Sequence, residues 1–341
     1  MKSIYEGINP IIYEKIDLNG FRLNLQQEDS LKGADIYVTL EPCSHYGHQP
    51  PCALALIENG FKNVYVGSRD PNPLVSGRGN KMLRDAGINV VTDVLRDECD
   101  EINRVFFHFI TTNEPYVVMK YAQTMDGKIA CYTGESKYVT GEIARNHVQK
   151  LRNRLSGIMV GVGTVLKDNP ALTCRIEGGR NPVRIICDSR LRTPLDSYIV
   201  ESAKEVETII AVSEKYIDSS DLVNSDLVKK FRDKGVEILI LPASEKASGR
   251  VSLKALMTTL GERKIDGILL EGGGTLNASA LEEGIVSEVD VYMAPKIFGG
   301  ESAPSPVRGE GVKTPAECYS FERIGIETFG EDVLLRYVVK K

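Results

Sequence analysis

The stretch DGILLEGGGTLNASALEEG, residues 266–284, runs from a short apolar segment into three consecutive glycines and then into a second, helix-favouring segment. It reads as a buried strand (266–274) turning sharply into a helix (Leu276 to Glu283), the unit from which α/β folds are assembled. Three glycines let the backbone approach a ligand closely, and a helix N-terminus offers free N–H groups, which together suit a phosphate or pyrophosphate. The spacing is not the G-x-G-x-x-G of a Rossmann fingerprint. A tight turn without any ligand is the competing reading. VGVGTVLKDNP (160–170) repeats the idea, with glycines at 161 and 163 where a strand meets a turn.

Working outward, short β-branched runs alternate with amphipathic stretches from residue 36 onward, the pattern of a largely parallel sheet. IYVTL (36–40), VYVGS (64–68) and INVVT (88–92) read as strands, with helices over 51–60 and 79–87 between them. Residues 93–114 read as one helix, with Ile102, Phe106, Phe109 and Ile110 at helical spacing, and end at Pro115. The domain boundary is placed there, giving domains 1–114 and 115–341. The second domain opens with strand YVVMKYA (116–122) and a turn at Asp126 and Gly127 suited to a tight hairpin. A helix follows from Thr140 or Gly141 to about Leu155, its Ile143, His147, Leu151 and Leu155 on one face. Further strands are expected over 157–163, 183–189, 207–213, 236–242 and 287–295.

The 341 residues are enough for two ordinary domains. Charges are interspersed, 42 Lys plus Arg against 47 Asp plus Glu, for a formal net charge of −5. That balance argues against a nucleic-acid or membrane-surface partner. No apolar run approaches the length of a membrane span, and seven scattered cysteines without a secretory leader point to a reducing, cytoplasmic compartment.

Three features could carry chemistry. EPCSHYGHQPPC (41–52) sets Cys43 just past a strand and Cys52 in the first turn of a helix, where the helix dipole favours the thiolate that binds metal. Two such cysteines after Glu-Pro resemble the zinc-dependent nucleobase deaminases, in which two Cys and one His hold the metal and a Glu moves the proton. Two buried structural cysteines are an equal alternative, and the His-x-Glu such an enzyme needs upstream is absent: the histidines are His45, His48, His108 and His147. The second feature is the glycine corner. The third is a set of cations, Arg152, Arg175 and Lys120, each by itself a solvated charge and meaningful only if the fold gathers them around a substrate phosphate. Lys120 and Asp126 are candidates for polar catalysis.

EPCSH with the following PPC, RDPNPLVSGRG (69–79), TMDGKIACYTGESKYVT (124–140), VGVGTVLKDNPALTCR (160–175), VRIICDSRLRTP (183–194), LLEGGGTLNASAL (269–281) and APKIFGG (294–300) occur in an order that resembles the bifunctional deaminase/reductases of riboflavin biosynthesis. The resemblance runs from about Asp29 to Lys341. It implies a truncated cytidine-deaminase-like α/β/α domain followed by a dihydrofolate-reductase-like α/β domain. The latter would reduce the ribose of 5-amino-6-(5-phosphoribosylamino)uracil with NADPH and pair into a homo-oligomer. Carried over by motif, Ala122, Tyr138, Thr164, Asp168, Ser189, Gly273, Gly274, Thr275, Leu276, Asn277, Ala278 and Ser279 would contact NADPH. Ser136, Arg152, Leu172, Arg175 and Glu271 would contact the phosphoribosylamino-pyrimidine substrate. Tyr138 stands where the family usually has Trp and keeps an aromatic face.

Upstream of EPCSH the family has His-Ala-Glu, and its spacing falls here on Leu18, Asn19 and Gly20. Leucine cannot ligate zinc and glycine cannot move a proton. The resemblance therefore implies an incomplete zinc site at Cys43 and Cys52 and an inactive deaminase half, with residues 1–28 atypical, through genuine loss or a displaced reading frame. A complete bifunctional enzyme and a catalytically silent binding protein are the two rival readings.

Overall fold

The computed structural model describes residues 31–46, 50–72, 76–216, 226–247 and 249–340. The segment to residue 30, with positions 18–20, and His48 lie outside the described residues. The chain divides into two units, Met1–Arg104 and Val105–Lys341.

In the first unit β1 (Asp35–Leu40), α1 (Cys52–Glu58), β2 (Asn63–Ser68), α2 (Arg78–Asp85) and β3 (Asn89–Val91) alternate, and α3 (Arg96–Ile102) follows. The three strands are parallel in the order β1-β2-β3. Strand alternation sends Val64 and Val66 to one face, where they pack with Ala53 and Leu56 of α1 and Leu83 of α2. On the other face Tyr37 and Tyr65 stack with ring centroids 4.4 Å apart. The single helix expected over 93–114 is two, because Asn103 interrupts it. The Asn103 side-chain amide donates to Cys99 O at 2.8 Å and to Thr39 O at 3.3 Å, the local competition with helical bonding that asparagine offers.

The second helix, α4 (Arg104–Thr112), leads into β4 (Tyr116–Thr124), α5 (Glu142–Arg154), β5 (Gly157–Gly161), α6 (Val162–Asp168), β6 (Val183–Cys187), α7 (Tyr198–Glu201) and β7 (Thr208–Ser213). Then come α8 (Asp226–Asp233), β8 (Val236–Leu241), α9 (Leu253–Glu262), β9 (Gly267–Leu270), α10 (Gly274–Glu282), β10 (Glu288–Ala294), β11 (Phe321–Phe329) and β12 (Asp332–Val339). They form a nine-stranded sheet, β11-β12-β10-β4-β9-β5-β6-β7-β8, parallel except for the antiparallel pairs made by β12. Helices cover both faces, so the central strands are apolar throughout rather than alternating; all six residues of β7 are buried. One face packs Val117, Met119, Met159, Ile185 and Ile209 under Leu256, Met257 and Leu260 of α9. The other packs Ile158, Ile186 and Ile210 under Val165, Ile199 and Phe231.

After β5 the chain steps outward through β6, β7 and β8, then β9 returns to the gap between β4 and β5. Strand order reverses at that point, and in open parallel sheets the crevice beyond the carboxyl ends of such strands is where ligands bind. Both glycine corners lie there. The turn at Asp126 closes as expected, with Gly127 at φ 73° and its N–H donating to Thr124 O, yet no return strand follows it. The C-terminal hairpin of β11 and β12 is an addition to the elements read from sequence.

Gly261 near the end of α9 tests this packing, since a Cβ there would stand 1.9 Å from Asn113 O. Glycine to alanine within a helix ordinarily stabilises by about 1 kcal/mol. Here Gly261→Ala should instead destabilise by about 1–3 kcal/mol, seen as a lower urea midpoint at unchanged slope; a raised midpoint would show that α9 does not close on that backbone.

Candidate active site

Glu271 follows β9 directly, anchored by its N–H to Met159 O of β5 at 3.0 Å. Across the crevice, Arg152 on α5 donates from Nε and Nη2 to the two Glu271 oxygens at 3.2 and 2.7 Å, a bidentate pair whose side chains are 11% and 15% exposed. Its remaining Nη1 donates to Thr173 O at 3.0 Å, tying the loop after α6 to the pair. Burial alone would raise the Glu271 carboxyl, but the charges of Arg152 and Lys120 outweigh it and hold it down at about 2, with Arg175 adding to them. Arg152, Arg175 and Lys120 thus all lie near enough to one carboxylate for their charges to act on it.

Lys120 lies on β4 with Nζ 5.4 Å from the centroid of the Tyr292 ring. Burial pulls its pKa down, Glu271 and Asp290 oppose that, and Arg152 adds to it. Burial thus makes this ammonium a readier proton donor than a solvated lysine. Beneath it, Tyr292 is fully buried and its hydroxyl meets His147 Nδ1 at 2.8 Å. Asp126 accepts from Thr124 Oγ1 at 2.5 Å, Phe298 N at 3.2 Å and Gly299 N at 2.8 Å. Those bonds hold its carboxyl below the usual range and fasten the 298–299 loop to the turn.

Beside the cluster, a cavity of about 530 Å³ opens between the ends of β5, β6 and β9. Gly161 and Gly163, Cys187 and Ser189, Arg190 and Arg192, Tyr216, the segment 249–251, Thr275, Leu276 and Ser279 line it. Its size matches an ordinary small-ligand site. Gly163 and Gly273 have nothing within 4 Å of where a Cβ would be, whereas Gly272 and Gly274 are closed in by Leu276 and Asn277 and by Ser305 and Arg308. Arg190 lies over the Tyr216 ring at 4.4 Å, and Arg250 Nη1 donates to Ser279 Oγ at 2.8 Å. Glycines that admit a backbone approach, with three arginines at the far wall, fit a nucleotide carrying several phosphates.

Of the residues expected at the cofactor, Ser189, Thr275, Leu276 and Ser279 line this cavity. Gly273 caps α10, in which Gly274, Asn277 and Ala278 are buried; Asn277 donates to Pro306 O and its own oxygen is buried without a hydrogen bond. Ala122 packs against Ala144 and Val148, and Asp168 is exposed at the end of α6 next to half-buried Thr164. Tyr138 is 62% exposed with Arg145 4.1 Å from its ring centre, and Lys296 Nζ donates to its carbonyl. Ser136 is half-buried and Leu172 belongs to the core, at φ 52°. Sequence reading passed over Arg190, Arg192, Arg250 and Tyr216. The available signal was the placement of Ser189-Arg190-Leu191-Arg192 at the carboxyl end of a parallel strand.

In the first unit the Cys52 N–H, at the start of α1, donates to Cys43 Sγ at 3.2 Å. Burial and the neighbouring Cys43 sulfur push the Cys52 thiol up to about 11, outweighing the helix-terminus effect expected from sequence. Among the described residues no group of three or more His, Cys, Asp or Glu could hold a metal ion, so the residues described do not fit zinc. Glu41, next to Pro42 and Cys43, is buried and accepts from Gly77 N at 3.1 Å and Asn80 N at 3.2 Å, which fixes the start of α2. No described helix is long and apolar enough to cross a membrane.

Removing the Glu271 carboxylate leaves Arg152 buried and uncompensated, so Glu271→Ala should cost about 3 kcal/mol in urea unfolding. The folded carboxyl at about 2 lies below its unfolded value of about 4.3. Stability from the pair is therefore whole above the unfolded value and is lost as pH falls toward 2. The difference between wild type and Glu271→Gln should shrink across that window; a pH-independent difference would remove the ion pair from the account.

Residues 115–335 match the family model described as the RibD C-terminal domain. Riboflavin biosynthesis protein RibD of Actinobacillus pleuropneumoniae is 51% identical over 317 residues, covering 92% of this chain and 81% of that protein. Among solved structures, Acinetobacter baumannii RibD is 33% identical with a TM-score of 0.77, covering 91% and 82% of the two chains. The diaminohydroxyphosphoribosylaminopyrimidine deaminase/5-amino-6-(5-phosphoribosylamino)uracil reductase of Thermotoga maritima is 34% identical with a TM-score of 0.75, covering 91% and 80%. The second unit accordingly has a dihydrofolate-reductase-like α/β fold, and the chain belongs to the RibD family of riboflavin biosynthesis proteins.

Proposed function

We propose that residues 105–341 reduce the ribose of 5-amino-6-(5-phosphoribosylamino)uracil to the ribitylamino chain, with NADPH as donor. The observation that carries this reading is one crevice with two chemistries. A glycine-walled cavity with Arg190, Arg192 and Arg250 adjoins a corner at which Glu271, Arg152, Arg175 and Lys120 converge. NADPH, when bound, supplies the hydride for C1 of the ring-opened ribose. Arg190, Arg192 and Arg250 would hold its phosphates, with Ser189, Thr275 and Ser279 alongside. Arg152 and Arg175 would take the substrate 5-phosphate, while Glu271 orients Arg152 and Leu172 shapes the loop behind it. Lys120, its pKa lowered by burial, would deliver a proton to the oxygen released from C1. Catalysis then comes mostly from positioning and from polarising that oxygen.

We infer further that the first unit is a cytidine-deaminase-like remnant without deaminase activity. Cys43 and Cys52 are together, but the described residues bring them no third donor. Pairing of two copies through the reductase domain belongs to the same reading; nine-residue β11 ends the sheet with Ile326 half exposed, an edge of the kind a second copy covers.

Arg190→Ala should raise the KM for NADPH roughly tenfold with the ribotide KM little changed, and Arg175→Ala should do the converse, since each removes one charge-assisted contact. Equal effects on both substrates would collapse the division of the crevice. Metal analysis of the purified full chain should find zinc well below one equivalent, and stoichiometric, tightly held zinc would overturn the remnant reading.

A further inference from the structure

Arg184, on β6, is fully buried and touches neither the cavity nor the Glu271 cluster. Its guanidinium has six acceptors for five N–H groups. Nε donates to Thr208 Oγ1 at 2.9 Å; Nη1 donates to Ser202 Oγ at 2.8 Å and Ala171 O at 3.3 Å. Nη2 donates to Ile199 O at 3.0 Å, Ser202 O at 3.1 Å and Val206 O at 2.8 Å. Every acceptor is neutral. Burial lowers its pKa to about 10, with only through-space help from Tyr198 and Glu205. A buried cation without an ion-paired carboxylate is costly, and a core position on β6 would be satisfied by the isoleucine or valine that its neighbours use.

The contacts show what such a residue accomplishes. Ile199, Ser202 and Val206 belong to α7 and the turn after it, while Ala171 belongs to the loop after α6, so one rigid fork joins the two. A second tie runs in parallel: Asn169 Oδ1 accepts from Tyr198 N at 2.8 Å, satisfying the first N–H of α7. The loop needs both. Asn169 and Leu172 are held at φ 39° and 52°, in a region that non-glycine residues rarely adopt. One residue beyond Leu172, Thr173 O accepts from Arg152. Arg175, two residues further on, is steadied by its own N–H donating to Gln149 Oε1 at 3.0 Å.

We propose that Arg184, with Asn169, is a positioning residue for substrate binding: α7 is the backing plate against which the 169–175 loop is held, and that loop carries Arg175 and the carbonyl that aims Arg152. This rests on the assignment of Arg152 and Arg175 to the substrate phosphate. It predicts a selective defect. The phosphate clamp loosens while the arginines of the cofactor cavity stay in place.

The test uses the full chain with NADPH and 5-amino-6-(5-phosphoribosylamino)uracil. Asn169→Ala should raise the ribotide KM roughly tenfold, the loss of about one well-placed hydrogen bond, with the NADPH KM unchanged within about twofold. Asn169→Asp keeps the acceptor and should restore most of the loss, a rescue that general destabilisation would not give. Arg184→Lys keeps the charge but cannot span Ala171 O and Val206 O, so it should shift the ribotide KM in the same direction. If Arg184→Lys does not fold, the two Asn169 variants still decide. Ribotide KM values within twofold of wild type, or parallel rises in both KM values, would overturn the proposal. A wild-type chain that reduces no ribotide would instead overturn the proposed function.

Discussion

The return of β9 into the gap between β4 and β5 is the constraint on which the site depends. A parallel sheet extended outward from β5 through β8 leaves one slot, and the strand that fills it must be apolar on both faces and short: Gly267–Leu270. Its carboxyl end then emerges between two strands laid down earlier in the chain, and two of the three glycines that turn into α10 are crowded. Gly272 and Gly274 answer that crowding, since a Cβ at either would stand under 3.0 Å from a neighbour. Glu271, the residue between strand and corner, is therefore delivered to the bottom of the crevice by topology, and Arg152 must reach it from α5.

The charges around the crevice divide by how they are compensated, and the division follows burial. Arg152 is nearly enclosed and has a bidentate carboxylate. Arg184 is wholly enclosed and has only carbonyls and hydroxyls, so its interactions are directional rather than coulombic. Arg190 and Arg192 are exposed and keep their capacity for a mobile anion, with Arg192 3.9 Å from buried Asp188. Lys120, on β4, is the exception: its charge is weakened by burial and opposed by Arg152, against the pull of Glu271 and Asp290. A cation that is easily discharged belongs where protons move, and cations that are firmly charged belong where phosphates rest.

How much of this was legible in sequence depended on burial and range. β5, β6, β7 and β9 announced themselves as apolar runs because both their faces are covered. β11 and β12 did not: β11 is the sheet edge, where Glu322, Arg323, Glu327 and Thr328 break up Phe321–Phe329, and Arg336 divides the apolar residues of β12. The break at Asn103 was hidden because a side-chain amide, not a proline or glycine, makes it. Within the site, the glycine corners and Glu271 lie in one local stretch, whereas the pairing of Arg152 with Glu271 spans 119 residues and no periodicity carries it. Arg190 and Arg192 look like surface charges in sequence, and only the strand order shows that their surface is a ligand wall.

The two units differ in how their carboxylates are used. In the second, each carboxylate near the crevice has a partner that explains it: Glu271 has Arg152, and Asp126 has three donors from its turn and the 298–299 loop. In the first, the acid beside the cysteines, Glu41, is also fully engaged, accepting from two backbone N–H groups at the start of α2. A carboxylate held in that way braces the start of a helix. The Glu-Pro-Cys stretch thus has a structural role through Glu41 that is independent of whether Cys43 and Cys52 hold a metal.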